Sequence, residues 1–282
     1  MQARVGPAGP SALENLRSLP RLPQYLAQVW DRRWFIWRVP VEELRAENST
    51  TSLGSLWHLL NPLLFLGVYY LLFSVGLRAG GDIVHFTTYL SIGIFFFRYS
   101  EQSAHRGGRA LLGNMPLVLS VRFPRLILPL TGVVGALLYL LIGLAALLII
   151  ALLDGAMPRL SWLAVIPLIG LHTLFNIGIA SLLARAVFHV HDTQNLIQHV
   201  FRVLFYASGV LFPVTSFFSD RWLILFVVNP FYAYVSLYRW AILGIETPAS
   251  TVVSAVVWSV GLLLFGVWWF RQAELSYGRQ EF

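Results

Sequence analysis

The chain of 282 residues consists largely of long apolar runs separated by short polar connections. Six of these runs approach the length of about 20 residues that an α-helix needs to cross a bilayer. They cover residues 56–75, 86–103, 127–153, 162–187, 197–212 and 251–270. The pattern predicts an all-α polytopic membrane protein with six transmembrane helices in a domain of residues 56–270.

A seventh apolar stretch, residues 222–243, is interrupted by Asn229 and Pro230, and Pro213 breaks the chain before it. Each half is too short to cross a bilayer. Two short helices that enter and leave by the same face fit this pattern better than one more crossing. Irregular backbone at membrane depth is tolerated beside protein or a water-filled cavity. We therefore predict a re-entrant gate region at about residues 213–243, with plain interfacial packing as the alternative.

The N-terminal region divides into a tail rich in glycine and proline (residues 1–21) and an amphipathic segment with a connector (residues 22–55). At 100° per residue, one arc of the segment is apolar. It holds Leu22, Tyr25, Leu26, Val29, Trp30, Trp34, Ile36 and Trp37. Tryptophan is typical of headgroup depth, so we predict a helix lying in the cytoplasmic membrane interface. A helix packed on a soluble core is the alternative.

The distribution of basic residues predicts the orientation. All 20 basic residues are arginine, and the formal net charge is +7. With the N-terminus inside and six spans, only Arg78, Arg159, Arg221 and Arg239 fall outside. Cytoplasmic loops carry the excess of arginine, which favours an N-in, C-in topology with a cytoplasmic tail at residues 271–282. Anionic headgroups are then the expected partners of the charge, rather than nucleic acid.

Composition also excludes several chemistries. Hydrophobic residues make up 57% and charged residues 12%, against about 25% charged residues in soluble domains. Without lysine the chain lacks the P-loop residue that contacts the ATP phosphates, and without cysteine it forms no disulfide. We expect no cofactor in this chain and no metal, since His189, His191 and Asp192 have no further ligand at a suitable spacing. Asp192 is expected to cap the next helix.

The loop between the second and third apolar runs is the most distinctive polar segment. It contains Arg98, Arg106, Arg109, Arg122 and Arg125. Within it, the short apolar piece at residues 111–121 holds Pro116 and is followed by Pro124. This pattern predicts a small helix at the cytoplasmic face that another protein can grip, with an ordinary charged loop as the alternative.

Several short marks occur in a fixed order along residues 22–275. They are Leu53-Gly54 with Leu56-Trp57 and Pro62, Glu101, Phe123-Pro124-Arg125 with Pro129, Asp192, Pro213, and Asn229-Pro230 with Arg239. In this order the chain resembles ABC-2 type transporter permeases of the polysaccharide and O-antigen export family. It departs from the family pattern at residues 45–49 and at His191, where the family usually has basic and tyrosine residues and an arginine respectively.

The resemblance implies a homodimer of this chain with two copies of a P-loop ATPase, which binds Mg-ATP. The complex would export a lipid-linked polysaccharide, of the O-antigen or cell-wall galactan type, across the bacterial cytoplasmic membrane. We favour galactan because a chain without lysine suggests a G- and C-rich genome. The ATPase would couple through the loop from residue 111 to residue 125. The candidate coupling residues are Leu111, Met115, Leu117, Leu119, Arg122, Phe123, Pro124 and Arg125.

Aromatic side chains are the candidates for contact with the glycan. Rings offer sugars a flat apolar surface, and tyrosine adds hydrogen bonds. The candidates are Tyr69, Tyr70, Phe73, Phe97, Tyr99, Phe212, Phe217, Trp222, Tyr232 and Tyr238. Aromatic belts at the membrane interface are the alternative. Arg98 and Glu101 lie three apart on a helix and can pair, either at a channel entrance or as a structural pair.

Other functions remain as alternatives. A drug or small-lipid exporter of the same superfamily differs only in its cargo. An ion-coupled carrier usually needs buried carboxylates in its spans, and only Glu101 is suitable. A membrane glycosyl- or acyltransferase is disfavoured because the sequence shows no patterned nucleophile and base.

Overall fold

A computed structural model describes residues 20–50, 53–54, 56–72, 84–214 and 220–277. The regular structure of these residues is entirely helical, as expected. Phe73, Phe217, the side chain of Trp222 and most of the two predicted tails lie outside the described residues.

The helices follow one another in short steps. They are α1 (Leu22–Asp31), α2 (Arg33–Thr50), α3 (Leu56–Tyr70), α4 (Phe86–Arg109), α5 (Met115–Ser120), α6 (Ile127–Leu153), α7 (Val165–His189), α8 (Thr193–Ala207), α9 (Asp220–Val228), α10 (Pro230–Leu243) and α11 (Ala249–Gln272). Single 3-10 turns at Leu112–Asn114 and Leu160–Ala164 precede α5 and α7.

Within the described residues, three helical segments are long and apolar enough to cross a membrane. They are Ile127–Leu153, Leu160–His189 and Ala249–Gln272, with 27, 30 and 24 residues. A polytopic membrane protein is therefore confirmed, whereas the full set of six spans stays a prediction. Helix α4 has 24 residues, but it carries charged side chains along its second half. Helix α3 is shorter, with 15 residues.

Two predicted boundaries were wrong. The second apolar run was expected to end at residue 103, but α4 continues to Arg109 because Arg106 finds partners on both sides. Arg106 donates to the Glu43 carboxylate at 3.0 Å and to the Tyr139 hydroxyl at 3.1 Å. The fifth run was expected to reach residue 212. Helix α8 ends at Ala207 because Gly209 turns the backbone into the left-handed region, at φ 60°.

The N-terminal amphipathic segment is two helices rather than one, broken at Arg32. Tyr25 and Val29 from its apolar arc are buried against the protein, whereas Trp30 is 68% exposed. Exposed tryptophan beside a buried stripe is the arrangement expected of a helix that lies between protein and headgroups. Helix α2 continues along α6 and carries the segment to the start of the bundle.

Small residues allow the central helices to approach closely. Helix α4 packs against α6 and α7, and α11 packs along α7. A Cβ atom at Gly107 of α4 would collide with Ala180 of α7, and one at Gly132 of α6 would come within 2.9 Å of the α4 backbone. Such contacts favour helix association in a bilayer, where apolar surface alone supplies little driving force. Gly178 of α7 likewise lies against the backbone of Leu262 in α11.

This packing predicts that Gly178→Ala destabilises the protein. Its new methyl group would overlap the backbone of α11, and overpacking of this kind costs about 1–3 kcal/mol. Gly170→Ala is the matched control, because no atom lies within 4 Å of the point that its methyl group would occupy in the same helix. Thermal unfolding in detergent should show a lower melting temperature for Gly178→Ala only. Equal melting temperatures for both variants would contradict the close approach of α7 and α11.

Candidate functional site: a cytoplasmic loop and a basic, aromatic groove

The loop that follows α4 contains the predicted short helix, in two pieces. A 3-10 turn at Leu112–Asn114 leads into α5, with Pro116 in its first turn. Proline is favoured there because the first helical N–H groups have no partner within the helix. At its other end the backbone becomes extended at Val121. The helix therefore has six residues, fewer than the eleven of the predicted segment.

The two faces of α5 differ in exposure. Val118 is 2% exposed and packs with the fully buried Leu111, whereas Leu119 is 55% exposed. Val121 and Arg122 are also exposed. Leu111 therefore supports the loop from within and presents no surface to a partner. Of the remaining coupling candidates, Met115, Leu117, Phe123 and Arg125 are half-buried and Pro124 is buried.

A buried carboxylate ties this loop to the C-terminal end of α11. The backbone N–H of Arg125 donates to Glu274 Oε1 at 2.8 Å, and the Arg125 guanidinium donates to the Glu274 carbonyl. Burial raises the pKa of Glu274, and the hydrogen bond from the Arg125 backbone opposes that rise. The contact spans 149 positions of sequence. It fixes where the loop lies relative to α11.

The N-terminal helix completes the same cluster. The Tyr25 hydroxyl of α1 accepts from the Leu126 N–H at 3.3 Å, and the Arg271 guanidinium lies 5.5 Å from the Tyr25 ring. Burial, together with the nearby Glu274 carboxylate, raises the pKa of Tyr25. The loop clamp, defined as Tyr25, Arg125, Arg271 and Glu274, thus joins the loop to both ends of the chain.

A groove of about 670 Å³ opens between α3, α4 and α8. Its walls combine aromatic rings with charged and polar side chains. They are Asn61, Phe65, Tyr69, Ile94, Phe97, Arg98, Glu101, His105, Arg109, Gln198, Phe201, Arg202, Phe205 and Tyr206. The Tyr69 and Tyr206 hydroxyls lie 3.2 Å apart across it. The groove thus offers flat apolar surfaces and hydrogen-bonding groups side by side.

The groove separates the aromatic candidates into those that can meet a ligand and those that cannot. Tyr69 and Phe97 line it. Tyr99 does not, because its hydroxyl points to Thr173 of α7 at 2.8 Å. Tyr238 is fully buried and its ring stacks on Phe96, with centroids 3.3 Å apart. The expectation of direct glycan contact by Tyr99 and Tyr238 is therefore not supported by their positions in the core.

Arg98 and Glu101 are both half-exposed at the wall of the groove. Arg98 Nη1 lies 3.8 Å from Glu101 Oε2, and the guanidinium lies 4.4 Å from the Phe65 ring. The pair therefore faces open space, as a channel entrance requires, while the ring contact also holds α4 to α3.

Comparison with curated proteins gives three relatives with one description. Two O-antigen export system permease proteins RfbA of Klebsiella pneumoniae are each 24% identical over 240 residues, covering 83% of this chain and 92% of the relative. The permease protein RfbA of the O-antigen export system of Myxococcus xanthus is 29% identical over 201 residues, covering 70% and 75%. The chain is a relative of O-antigen export permeases. No protein-family model matches it.

As a multi-pass inner-membrane permease, the protein has a break where the sequence predicted a gate. Helix α9 has nine residues, about 14 Å at 1.5 Å per residue, and Asn229 separates it from α10. The Asn229 side chain accepts from the Phe231 N–H at 3.0 Å and donates to the Ser208 hydroxyl at 3.0 Å. It therefore caps α10 and attaches it to the end of α8.

Arg239 of α10 is the functional-site residue that the sequence placed wrongly. It was counted among the arginines outside the membrane, yet it is only 4% exposed. Its guanidinium donates to the carbonyls of Gly209 at 2.9 Å and Val210 at 2.7 Å, and lies 3.4 Å from the Tyr89 ring centre. Arg239 therefore fixes the turn after α8 against α4. Its position in the ordered marks was the only signal for such a role.

The other gate candidates surround this turn. Phe212 and Pro213 are half-buried in the segment after α8. The Tyr232 ring packs on Phe226, with centroids 5.8 Å apart. Tyr70 of α3 lies apart from them and packs on Phe86 at 6.3 Å. These rings hold helices together, and the structure brings none of them into the groove.

The expected cap at the start of α8 is only partly present. Asp192 occupies the capping position, but its side chain makes no capping hydrogen bond. Its backbone is already helical, so its carbonyl accepts from Asn195 and Leu196 instead. Within the described residues no group of three or more potential metal ligands comes together.

The raised pKa of Glu274 predicts a pH-dependent effect of Glu274→Gln. A carboxyl whose pKa is higher in the folded state binds more protons there than in the unfolded chain. Stability therefore falls as pH rises above the unfolded value of about 4.3 and through the folded one. Glutamine keeps the acceptor for the Arg125 N–H but carries no charge. We expect its melting temperature, relative to wild type, to rise from pH 4.5 to pH 7.5.

The matched control is Glu42→Gln, at an exposed glutamate of α2, which should show no such trend. A constant difference between Glu274→Gln and wild type at every pH would contradict the account of the buried carboxylate.

Proposed function

We propose that the chain is the transmembrane subunit of an ABC exporter that moves a lipid-linked polysaccharide out across the cytoplasmic membrane. One observation carries the proposal: similarity to O-antigen export permeases extends over 83% of the chain and 92% of the relative. O-antigen is the cargo named for those relatives, and a cell-wall galactan has the same chemistry of linked sugars. In this reading the six-span, N-in, C-in topology puts the loop clamp in the cytoplasm.

Energy has to come from a partner, because this chain has no lysine for a P-loop. The proposed partner is a separate P-loop ATPase with Mg-ATP, in two copies. The exposed side of α5 suits its docking, since Leu119 and Val121 present apolar surface beside the charge of Arg122. The loop clamp would then pass movement of α5 to α1 and α11 instead of letting the loop bend.

The groove is the proposed half of the glycan path, which a second copy of this chain would complete. Tyr69, Tyr206 and Phe97 line it with rings and hydroxyl groups. Ring faces bind sugars without fixing one register, which suits a polymer that slides. The turn held by Arg239 and Asn229 is the proposed gate, because it joins the end of α8 to α10.

The direct test is reconstitution of the permease and its ATPase in liposomes that contain a lipid-linked glycan. We expect transfer of the glycan across the bilayer that depends on ATP. A lipid-linked glycan that stays in place while a drug or a free small lipid is transported would contradict the proposal and favour the other exporter class.

The same assay tests the docking face. Leu119→Asp puts a charge on the exposed side of α5 and should abolish co-purification of the ATPase and reduce transfer at least tenfold. The permease itself should insert and fold, because Leu119 is not part of the buried cluster. Val190→Asp, at an exposed apolar residue of the turn after α7, is the control and should retain the ATPase. Normal co-purification with Leu119→Asp would exclude α5 as the docking element.

A further inference from the structure

The groove carries more positive charge than its own acid can neutralise. Three arginines line it (Arg98, Arg109 and Arg202), with His105 between them, and Glu101 is its one carboxylate. Glu101 pairs with Arg98 at 3.8 Å and also attracts Arg202. One negative charge therefore faces three guanidinium groups.

Arg109 and Arg202 are the groups left available. Both are exposed, and neither forms an ion pair within the described part of the chain. Arg109 lies against the amide of Gln194, which is neutral. An arginine without a counter-charge at membrane depth costs about 3 kcal/mol on insertion scales, so such groups usually mark a ligand path.

The positive groups form a series along α4. His105 and Arg109 follow Arg98 by seven and eleven positions, about 10 and 16 Å along the helix. The rings of Phe65, Phe201 and Phe205 stand beside them on α3 and α8. A polar, anionic head and an apolar chain can therefore both find contacts in one groove.

We propose that this groove binds the phosphate or diphosphate headgroup of a lipid through Arg109 and Arg202. Guanidinium groups bind phosphate oxygens through paired, charge-assisted hydrogen bonds. Arg98, held by Glu101 and Phe65, stands deeper and would receive the anion next. The proposal rests on the proposed function, because it assigns the group by which the exporter holds the lipid end of its cargo.

The test measures binding to the full-length permease in phosphatidylcholine nanodiscs, without ATP or ATPase. The probes are a fluorescent polyprenyl diphosphate, the corresponding polyprenyl alcohol and inorganic pyrophosphate as a competitor. We expect saturable binding of the diphosphate lipid, at least tenfold weaker binding of the alcohol, and competition by pyrophosphate only at much higher concentration.

The double variant Arg109→Gln with Arg202→Gln should bind the diphosphate lipid at least tenfold more weakly. Its melting temperature should match the wild type, since both side chains are exposed. Arg33→Gln is the control, because Arg33 is an exposed arginine of the interfacial α2, outside the groove. It reports general attraction of anionic lipid to surface arginine and should leave binding unchanged.

Each other outcome overturns part of the proposal. Equal binding of alcohol and diphosphate, or unchanged binding by the double variant, would exclude the anion site. Pyrophosphate that binds as tightly as the lipid would exclude a lipid headgroup as the ligand. Glycan export by a wild-type complex that binds no diphosphate lipid would remove the site and leave the proposed function standing. Binding without export would do the reverse.

Discussion

The buried contact between Glu274 and Arg125 is the constraint on which the cytoplasmic side of the molecule depends. A carboxylate in a low-dielectric site is costly unless it is hydrogen-bonded, and here it accepts from the loop backbone. Because Arg125 also donates to the Glu274 carbonyl, the loop and the end of α11 hold each other. Tyr25 adds α1 to the same contact. A force applied to α5 therefore reaches both ends of the chain.

The groove depends on a second constraint, the close approach of α4, α6 and α7. Gly107 and Gly132 let α4 settle between its neighbours, which turns one face of α4 to the core and leaves the other open. Tyr99 falls on the core side, whereas Arg98 falls on the open side with Glu101. Glycine packing thus decides which polar groups of one helix face a ligand path and which hold the bundle together.

The sequence predicted well whatever depends on local pattern. Unbroken apolar runs predicted α6 and α11 to within two residues, and the spacing of three positions anticipated the Arg98–Glu101 contact. It could not predict the loop clamp, whose members are far apart in the chain. It also could not tell that Tyr238 is a core residue, because composition does not say which way a ring points. These choices are made by tertiary packing.

The central claim is that the exposed face of α5 receives the ATPase while Val118, one residue earlier, faces the permease interior. Photo-crosslinking from a benzoylphenylalanine at single positions in the intact complex tests it most directly. The account predicts an ATPase adduct from position 119 and none from position 163, where Leu163 is exposed near the start of α7, at the proposed outer face. An ATPase adduct from position 163 but not from position 119 would contradict both the docking face and the orientation.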